Sequence, residues 1–313
     1  MGLTILLLLW TRPCTRQRKA DETGRLRAIG MKSPLLDRFE DLDGLPSLPD
    51  QILRVLEETC RVSSMDYNII EVIQYDPPMA LRVLRRANLP LYGYSESIGS
   101  LQQAVGLLGP EALKNIVATV PALERFFDSE RDYLDLDYPG IWLHMQMMAA
   151  LAGRIARLRG GLEIDLCFTA GLVHNAGKIA MIVKTPDVLL NALNLASNRL
   201  IPLSRAGEEL AGLSHLDICG RLAKKWNFPK SLVSSMRTGF YTAIGEEAGE
   251  LEAITCMANY AAWELGFPDK MEFLPPPIPK AASDLLGISA HDWETWMPEL
   301  KTFAGEMSVF LRN

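Results

Sequence analysis

The sequence predicts an all-α protein made of two packed helical subdomains. From residue 33 onward, apolar residues recur at spacings of three and four, which is the period of an amphipathic helix. Pro, Gly and Ser separate segments of helix length, and these residues commonly begin or end helices. No segment shows the sustained alternation of apolar and polar residues that is typical of a β-strand. With 313 residues, the chain can form one large domain or two modest ones.

Capping residues place the helices of the N-terminal subdomain, which we assign to residues 33–127. Asp76 followed by Pro77 is typical of an N-cap and a first helical residue. Gly109 followed by Pro110 predicts that one helix ends there and another begins. The predicted helices of this subdomain cover residues 47–60, 66–76, 77–88, 101–108 and 110–127.

Residues 128–138 are polar and acidic, and we predict that they link the two subdomains. The second subdomain, residues 139–266, opens with a long amphipathic helix that ends at two glycines. Residues 267–313 combine a Pro-rich linker with a final apolar helix. We expect this helix to pack on the rest of the protein, and the alternative is a partner or self-association surface. The later predicted helices cover residues 139–159, 163–183, 185–197, 202–212, 214–226, 229–239, 250–266 and 291–311.

Charge and cysteine usage limit the classes of partner. The net charge is −6, and the chain beyond its first thirty residues is more acidic still. This balance argues against nucleic acid as a partner, because phosphate binding needs a basic face. The five cysteines are scattered without C-x-x-C spacing. A reduced, cytoplasmic protein without disulfides or a thiolate zinc site is therefore expected.

Residues 1–32 are predicted to be a disordered or mis-started N-terminal tail, with Met31 as an alternative start. Their apolar run is far too short to span a bilayer. The basic residues follow this run, whereas a secretory signal would place them before it. We therefore expect no interaction with a membrane.

Two histidines are candidate site residues. His144 is followed at helical spacings by Met148 and Leu151, so it lies on the buried face of its helix. A histidine held in the core by hydrogen bonds is the ordinary interpretation of that pattern. His174 follows Ala170 and Gly171, whose small side chains allow another backbone to approach closely.

The motifs resemble the HD superfamily of helical metal-dependent phosphohydrolases, and more specifically the HDOD family, the HD-related output domain of bacterial signalling proteins. The resemblance covers residues 45 to about 265 and implies that the second subdomain is HD-like. The motifs that carry it are LPSLP (45–49), DPPMALRVLRRAN (76–88), IGSLQQAVGLLGPEALKNIV (98–117), IWLHMQMMAALA (141–152), AGLVHNAGK (170–178), SHLDICGRLAKKWNFP (214–229) and CMANYAA (256–262).

The resemblance also implies where a metal would bind. Catalytic relatives place a His, a His-Asp pair and a distant Asp at the positions of His144, His174, Asn175 and Asn259. Both carboxylates are amides here, and amide oxygens bind a hard cation weakly without carboxylates beside them. We therefore expect no metal, no other cofactor and no catalytic residue. The four side chains are expected to form a buried polar cluster that satisfies its own hydrogen bonds.

Two functions follow as hypotheses. The first is a non-catalytic HDOD-type signalling or regulatory module that binds signalling proteins or a small signal, for which a nucleotide second messenger is a candidate. The alternative is a metal-dependent HD-type phosphohydrolase acting on a nucleotide or phosphoester. It would need a carboxylate from elsewhere, and Asp217 and Glu163 are the candidates nearest in sequence.

Two further sets of residues have an ordinary and a functional interpretation. His215 matches an additional metal ligand of some relatives, but a helix-start residue with a local hydrogen bond is the simpler interpretation. Arg82, Arg85 and Arg86 form either a solvated helix face or a docking patch for an acidic partner or phosphoryl ligand.

Overall fold

A computed structural model describes residues 34–39, 45, 73–92, 96–118, 136–238, 245 and 247–312. Within these ranges every regular element is a helix and no strand occurs, which confirms the all-α class. The described residues belong to one compact unit, Pro34–Asn313. The helices are α1 (Pro34–Asp37), α2 (Pro77–Ala87), α3 (Leu101–Ala118), α4 (Tyr138–Arg159), α5 (Ile164–Val173), α6 (Ala176–Lys184), α7 (Pro186–Arg199), α8 (Leu203–Ala211), α9 (His215–Lys225), α10 (Lys230–Met236), α11 (Glu250–Glu264), α12 (Lys280–Leu286) and α13 (Ala290–Arg312), with a 3₁₀ turn at Pro90–Tyr92.

Several predictions fall outside the described residues. These are the tail at 1–32, the helix at 47–60, most of the helix at 66–76, the end of the helix at 110–127 and most of the linker at 128–138. The boundary between the two subdomains therefore stays a prediction. Within the described part, α2 and α3 pack on each other, and both contact α5 of the HD-like half.

The predicted helix caps of the N-terminal half are confirmed. The Asp76 carboxylate accepts a hydrogen bond from the backbone N–H of Met79, 3.3 Å away, and so caps α2. Gly109 interrupts α3 with φ 70° and ψ 171°, and the helix resumes at Pro110. The positive φ requires a residue without a Cβ, which explains the Gly-Pro pair.

Helix α4 forms the centre of the fold. It packs against α5, α11 and α13, and its buried residues include His144, Met148 and Leu151, as predicted. The close approach expected at Gly171 is also confirmed. A Cβ added there would lie 2.6 Å from the Met148 carbonyl oxygen, so α4 and α5 can meet at this distance only with glycine.

The single helix that we predicted over residues 163–183 is wrong, because the chain breaks it into α5 and α6. The interruption lies at His174 and Asn175, where the Asn175 backbone has φ −95° and ψ 15°. The turn places both of these side chains in the core. The apolar residues on either side conceal the break from a search for periodicity. Helix α12 was missed as well, because it directly follows the Pro-rich segment.

The final helix packs on the protein, as expected. Trp296 and Phe303 of α13 are partly buried against the core, whereas Phe310 near its end is 47% exposed. Among the described residues, one segment, Ile164–Lys184, is long and apolar enough to cross a membrane. Most of it, 83% of the apolar window, is buried inside the protein, as expected for core helices.

Candidate functional site

The two candidate histidines lie side by side in the core, with their rings nearly perpendicular. His144 comes from α4 and His174 from the turn between α5 and α6, with ring centroids 5.2 Å apart. The Nδ1 of His144 lies 2.8 Å from the Phe267 carbonyl oxygen, and the Nδ1 of His174 lies 2.6 Å from that of Gly171. A carbonyl only accepts, so each Nδ1 is the protonated nitrogen and each Nε2 keeps its lone pair.

Burial keeps these imidazoles neutral. It lowers the pKa of His144, and together with the neighbouring His144 it lowers the pKa of His174 to about 3. His215, the first residue of α9, is also buried, and burial followed by the Lys178 charge lowers its pKa well below the usual value. At neutral pH, all three rings are therefore uncharged.

A carboxylate that sequence analysis missed completes the cluster. Asp269 lies in the segment between α11 and α12 and is 5% exposed. One ligand atom each from His144, His174 and Asp269 lies within 4.8 Å of the others, and the His144 Nε2 is 4.0 Å from the Asp269 Oδ2. These three side chains, all in the described part of the chain, therefore have the spacing of metal ligands.

The carboxylates that we expected for a phosphohydrolase, Asp217 and Glu163, do not reach the core. Both are exposed, and the Asp217 Oδ2 accepts hydrogen bonds from the backbone and hydroxyl of Ser214 at the start of α9. Asp217 is thus part of a capping box, and its proposed role as a metal ligand is wrong.

Lys178 occupies the space beside Asp269. Its side chain is 2% exposed, and its Nζ donates hydrogen bonds to Asp269 Oδ2 at 2.6 Å and to Glu272 Oε1 at 2.9 Å. The Asn175 Nδ2 donates to the same Asp269 oxygen at 2.7 Å, and the Met271 N–H donates to the other at 3.0 Å. Every oxygen of Asp269 is therefore already an acceptor. We call Lys178, Asp269 and Glu272 the buried ion cluster.

The charges of the buried ion cluster depend on one another. Burial alone would raise the pKa of Asp269, but the Lys178 ammonium lowers it well below the usual range. Burial opposes the charge of Lys178, yet Asp269 and Glu272 raise its pKa. Burial and the nearby Asp269 charge raise the pKa of Glu272, although its oxygens accept from Lys178 and from the Leu203 N–H. Lys178 and Asp269 thus form a charged pair inside the core.

The site only partly fits the divalent metal of HD-type phosphohydrolases. The neutral imidazoles suit a metal, and the His144 Nε2 has no hydrogen-bond partner among the described residues. The carboxylate does not suit it, because the positive charge of Lys178 lies 2.6 Å from the oxygen that would bind the ion. Asp269 and Lys178 together supply no net negative charge to offset the lost hydration of the ion. In the structure, the Lys178 ammonium thus occupies the position beside Asp269 where the charge of an ion would be expected.

The other predicted positions are only partly as expected. Asn175 is satisfied by Asp269 and not by the histidines. Asn259 is buried on α11, and its Nδ2 has no hydrogen-bond partner within the described ranges. The Nδ1 of His215 likewise lacks the local hydrogen bond that we predicted. The expected cluster of four mutually satisfied side chains is therefore not what forms, and Asp269 and Lys178 take over that role.

The arginines of α2 differ in their surroundings. The Arg82 Nε lies 3.4 Å from the Leu45 carbonyl oxygen, and Arg82 and Arg85 are half-buried. Arg86 is exposed. A docking role for this face remains a prediction.

One sequence signal could have revealed the buried ion cluster. Lys178 stands within the apolar run AGKIAMIV, at a position where a helix in the core has no route to solvent. A lysine in that setting requires buried carboxylate partners. Asp269 and Glu272 carry no comparable signal, because they lie in an irregular segment.

The contact between α6 and α9 gives a test of how tightly this region is packed. A Cβ added to Gly177 would lie 2.0 Å from the His215 carbonyl oxygen and 3.0 Å from the Cys219 Sγ. Gly177→Ala should therefore push the helices apart and lower the free energy of unfolding by about 1–3 kcal/mol or more. Urea denaturation measures the loss. Gly305→Ala is the control, because no atom lies within 4 Å of the Cβ that alanine would add, and alanine favours a helix there.

The helical architecture, with two histidines and a carboxylate converging in its core, defines an HD-like fold. The chain belongs to the HDOD family, whose HDOD domain model matches residues 45–239. The predicted family membership is thereby confirmed.

Known proteins resemble this chain at low sequence identity. The MmoQ response regulator of Methylococcus capsulatus is 18% identical, with a TM-score of 0.63 over 81% of this chain and 98% of that chain. A virulence factor of Campylobacter jejuni is 20% identical, with a TM-score of 0.59 over 87% and 95% of the two chains. An uncharacterized protein of Treponema pallidum is 23% identical over 210 residues, which are 66% of this chain and 39% of that protein. The chain thus spans well under half of this relative's length.

Proposed function

We propose that the chain is a non-catalytic HDOD module of bacterial signalling, which acts in the cytoplasm by binding a partner protein or a small signal molecule. The family match supports a regulatory role, and one protein of the same fold is named a response regulator. The acidic net charge of −6 speaks against nucleic acid as the partner.

The observation that carries the proposal is the position of Lys178. An HD-type phosphohydrolase uses a divalent ion to activate water, and that ion needs anionic ligands. Here the carboxylate that reaches the two histidines is neutralised by an ammonium group of the same chain at 2.6 Å. The oxygen that would bind the ion is therefore already paired with a cation of the chain itself.

The alternative of a metal-dependent phosphohydrolase rests on one specific observation. His144, His174 and Asp269 have the mutual spacing of metal ligands, within 4.8 Å. For this site to bind a metal, Lys178 would have to leave Asp269 or lose its proton. The two functions therefore differ in whether the purified protein binds a divalent ion.

Elemental analysis of the purified protein, dialysed against divalent ions and then against buffer, separates the two functions. We expect iron, manganese and zinc far below one equivalent, and no divalent-metal-dependent hydrolysis of phosphoesters. Near-stoichiometric metal together with phosphatase activity that is lost in His174→Ala would contradict the proposal.

A further inference from the structure

A cavity of about 260 Å³ lies apart from the histidine site and shares no lining residue with it. Four parts of the fold form its walls: the segment before α2, the start of α3, the facing surfaces of α4 and α5, and helix α13. The lining residues that matter for its chemistry are Tyr75, Gln102, Arg154, Arg157, Asp165, Phe168 and Phe303.

The cavity contains one uncommitted positive charge. Arg154 forms an ion pair with Glu299. The Gln102 amide, oriented with its nitrogen toward Asp165, donates to that carboxylate at 3.0 Å but leaves its negative charge in place. The lining carries two guanidinium groups and this one carboxylate, so its net charge is positive. Arg157 is exposed, and no acceptor among the described residues bonds to its guanidinium. The cavity therefore has a free guanidinium with five N–H donors, which suits a phosphate or carboxylate group.

The cavity is also lined by aromatic side chains. Phe168 packs edge-on against Tyr75, with ring centroids 6.0 Å apart. Phe303 enters from α13, and the Arg154 guanidinium lies 5.5 Å from the centre of its ring. The buried Nε of Arg154 has no hydrogen-bond partner within the described part of the chain. A flat ring between these side chains would gain apolar and stacking contacts.

We infer that this cavity binds a small organic anion that carries one phosphate or carboxylate group and one flat ring system. The anionic group would bind Arg157, and the ring would lie against Phe168 and Phe303. The volume is just below the roughly 300–1,000 Å³ of common ligand pockets, so a single ring system fits and a cyclic dinucleotide does not. The inference deepens the proposed function, because it assigns a site to the small signal of a non-catalytic module.

Binding at this cavity would connect separate parts of the fold. The Leu101 N–H at the start of α3 donates to the Thr169 hydroxyl of α5 at 3.0 Å, so the cavity floor is fixed. Helix α13 supplies Phe303 and Met307 from the other side. A ligand held between them would therefore hold α13 against α4 and α5, and the position of α13 is what a partner protein could detect.

Calorimetric titration with phenyl phosphate, adenosine monophosphate and benzoate tests the inference. Saturable binding of one equivalent is expected for at least one of these probes, with inorganic phosphate and cyclic di-guanosine monophosphate binding at least about tenfold more weakly. Arg157→Gln should weaken binding about tenfold or more, because a charge-assisted hydrogen bond is lost. Arg205→Gln is the matched control, since this arginine is 64% exposed on α8 and outside the cavity. Hydrogen exchange should show slower exchange in α13 when the probe is bound.

Three results would overturn the inference. They are the absence of saturable binding by all three probes at millimolar concentration, binding that Arg157→Gln and Arg205→Gln affect equally, and an affinity for inorganic phosphate equal to that for the probe that binds. Metal content does not involve this cavity. If neither a probe nor a metal binds, the inference about the cavity fails and the proposed function stands. If a metal binds and phosphoesters are hydrolysed, the proposed function fails, but a ligand site measured at the cavity stands.

Discussion

Lys178→Met should lower the free energy of unfolding by about 3–5 kcal/mol, because it leaves two buried carboxylates without their cation. In the protein as it stands, the Lys178 Nζ lies 2.6 Å from Asp269 and 2.9 Å from Glu272. Methionine keeps an unbranched apolar stem of similar length, so the lost charge and not a cavity dominates the effect. The thermal midpoint at neutral pH should fall by roughly 6–20 °C.

The same change at an exposed position provides the control. Lys224→Met removes an exposed lysine of α9 and should alter stability by no more than about 0.5 kcal/mol. Adding Asp269→Asn and Glu272→Gln to Lys178→Met should recover most of the loss, because no unpaired charge then remains. If Lys178→Met were as stable as Lys224→Met, the charged pair in the core would not contribute to stability.

The pH dependence of the Lys178→Met deficit follows from the same charges. Without the ammonium, burial raises the folded-state pKa of Asp269 and Glu272 above their unfolded values of about 3.9 and 4.3. A carboxyl group with a raised pKa takes up a proton in the folded state first, so the deficit should shrink as the pH falls toward 4. In the unchanged protein, Lys178 lowers the pKa of Asp269 instead, and this contribution to stability is lost at acid pH.

Replacing three residues, in Asn175→Asp/Lys178→Met/Glu272→Gln, should create a divalent metal site. The Asn175 Nδ2 lies 2.7 Å from the Asp269 Oδ2, so the new carboxylate would stand beside Asp269 and close to His174. Two carboxylates balance the charge of a divalent ion, and two neutral imidazoles complete the ligands. Elemental analysis should give nearly one equivalent of zinc or manganese. At a hundredfold excess over Kd, the ion should stabilise the variant by about 2.7 kcal/mol.

Two further variants show whether the metal binds where we expect. Adding His174→Ala to the triple variant should remove the metal. Asn175→Asp alone keeps the Lys178 ammonium and should bind zinc at least about tenfold more weakly than the triple variant, because like charges repel in a buried site. Equal metal affinity of the triple variant and the unchanged protein would contradict our explanation for the loss of the site.

The parts of the fold that sequence alone predicts are those fixed by local chemistry. Asp76 and Pro77 define the start of α2 by their own capping geometry, and Gly109 marks the break in α3. His144 could be placed on the buried face of α4 because its helical neighbours are apolar. The close packing at Gly171 could be anticipated from its lack of a side chain. Each of these features depends on a few neighbouring residues.

The parts that sequence alone did not predict depend on distant partners. Lys178 and Asp269 are separated by 91 positions, and no periodicity links them. No glycine or proline stands at His174 and Asn175, where the chain breaks between α5 and α6. The resemblance points to the positions of Asn175 and Asn259, whereas the carboxylate comes from the segment after α11. A resemblance identifies which positions have lost their acids, but not which side chain has taken their place.

Because Lys178 is part of the polypeptide, the core receives its positive charge as the chain is made. A core that needs an external ion is complete only after the ion has been delivered, so its yield depends on supply. Here the cation arrives with the polypeptide itself. The non-catalytic function that we propose therefore predicts the same amount of folded protein in cells starved of iron, zinc or manganese as in cells that have them in abundance.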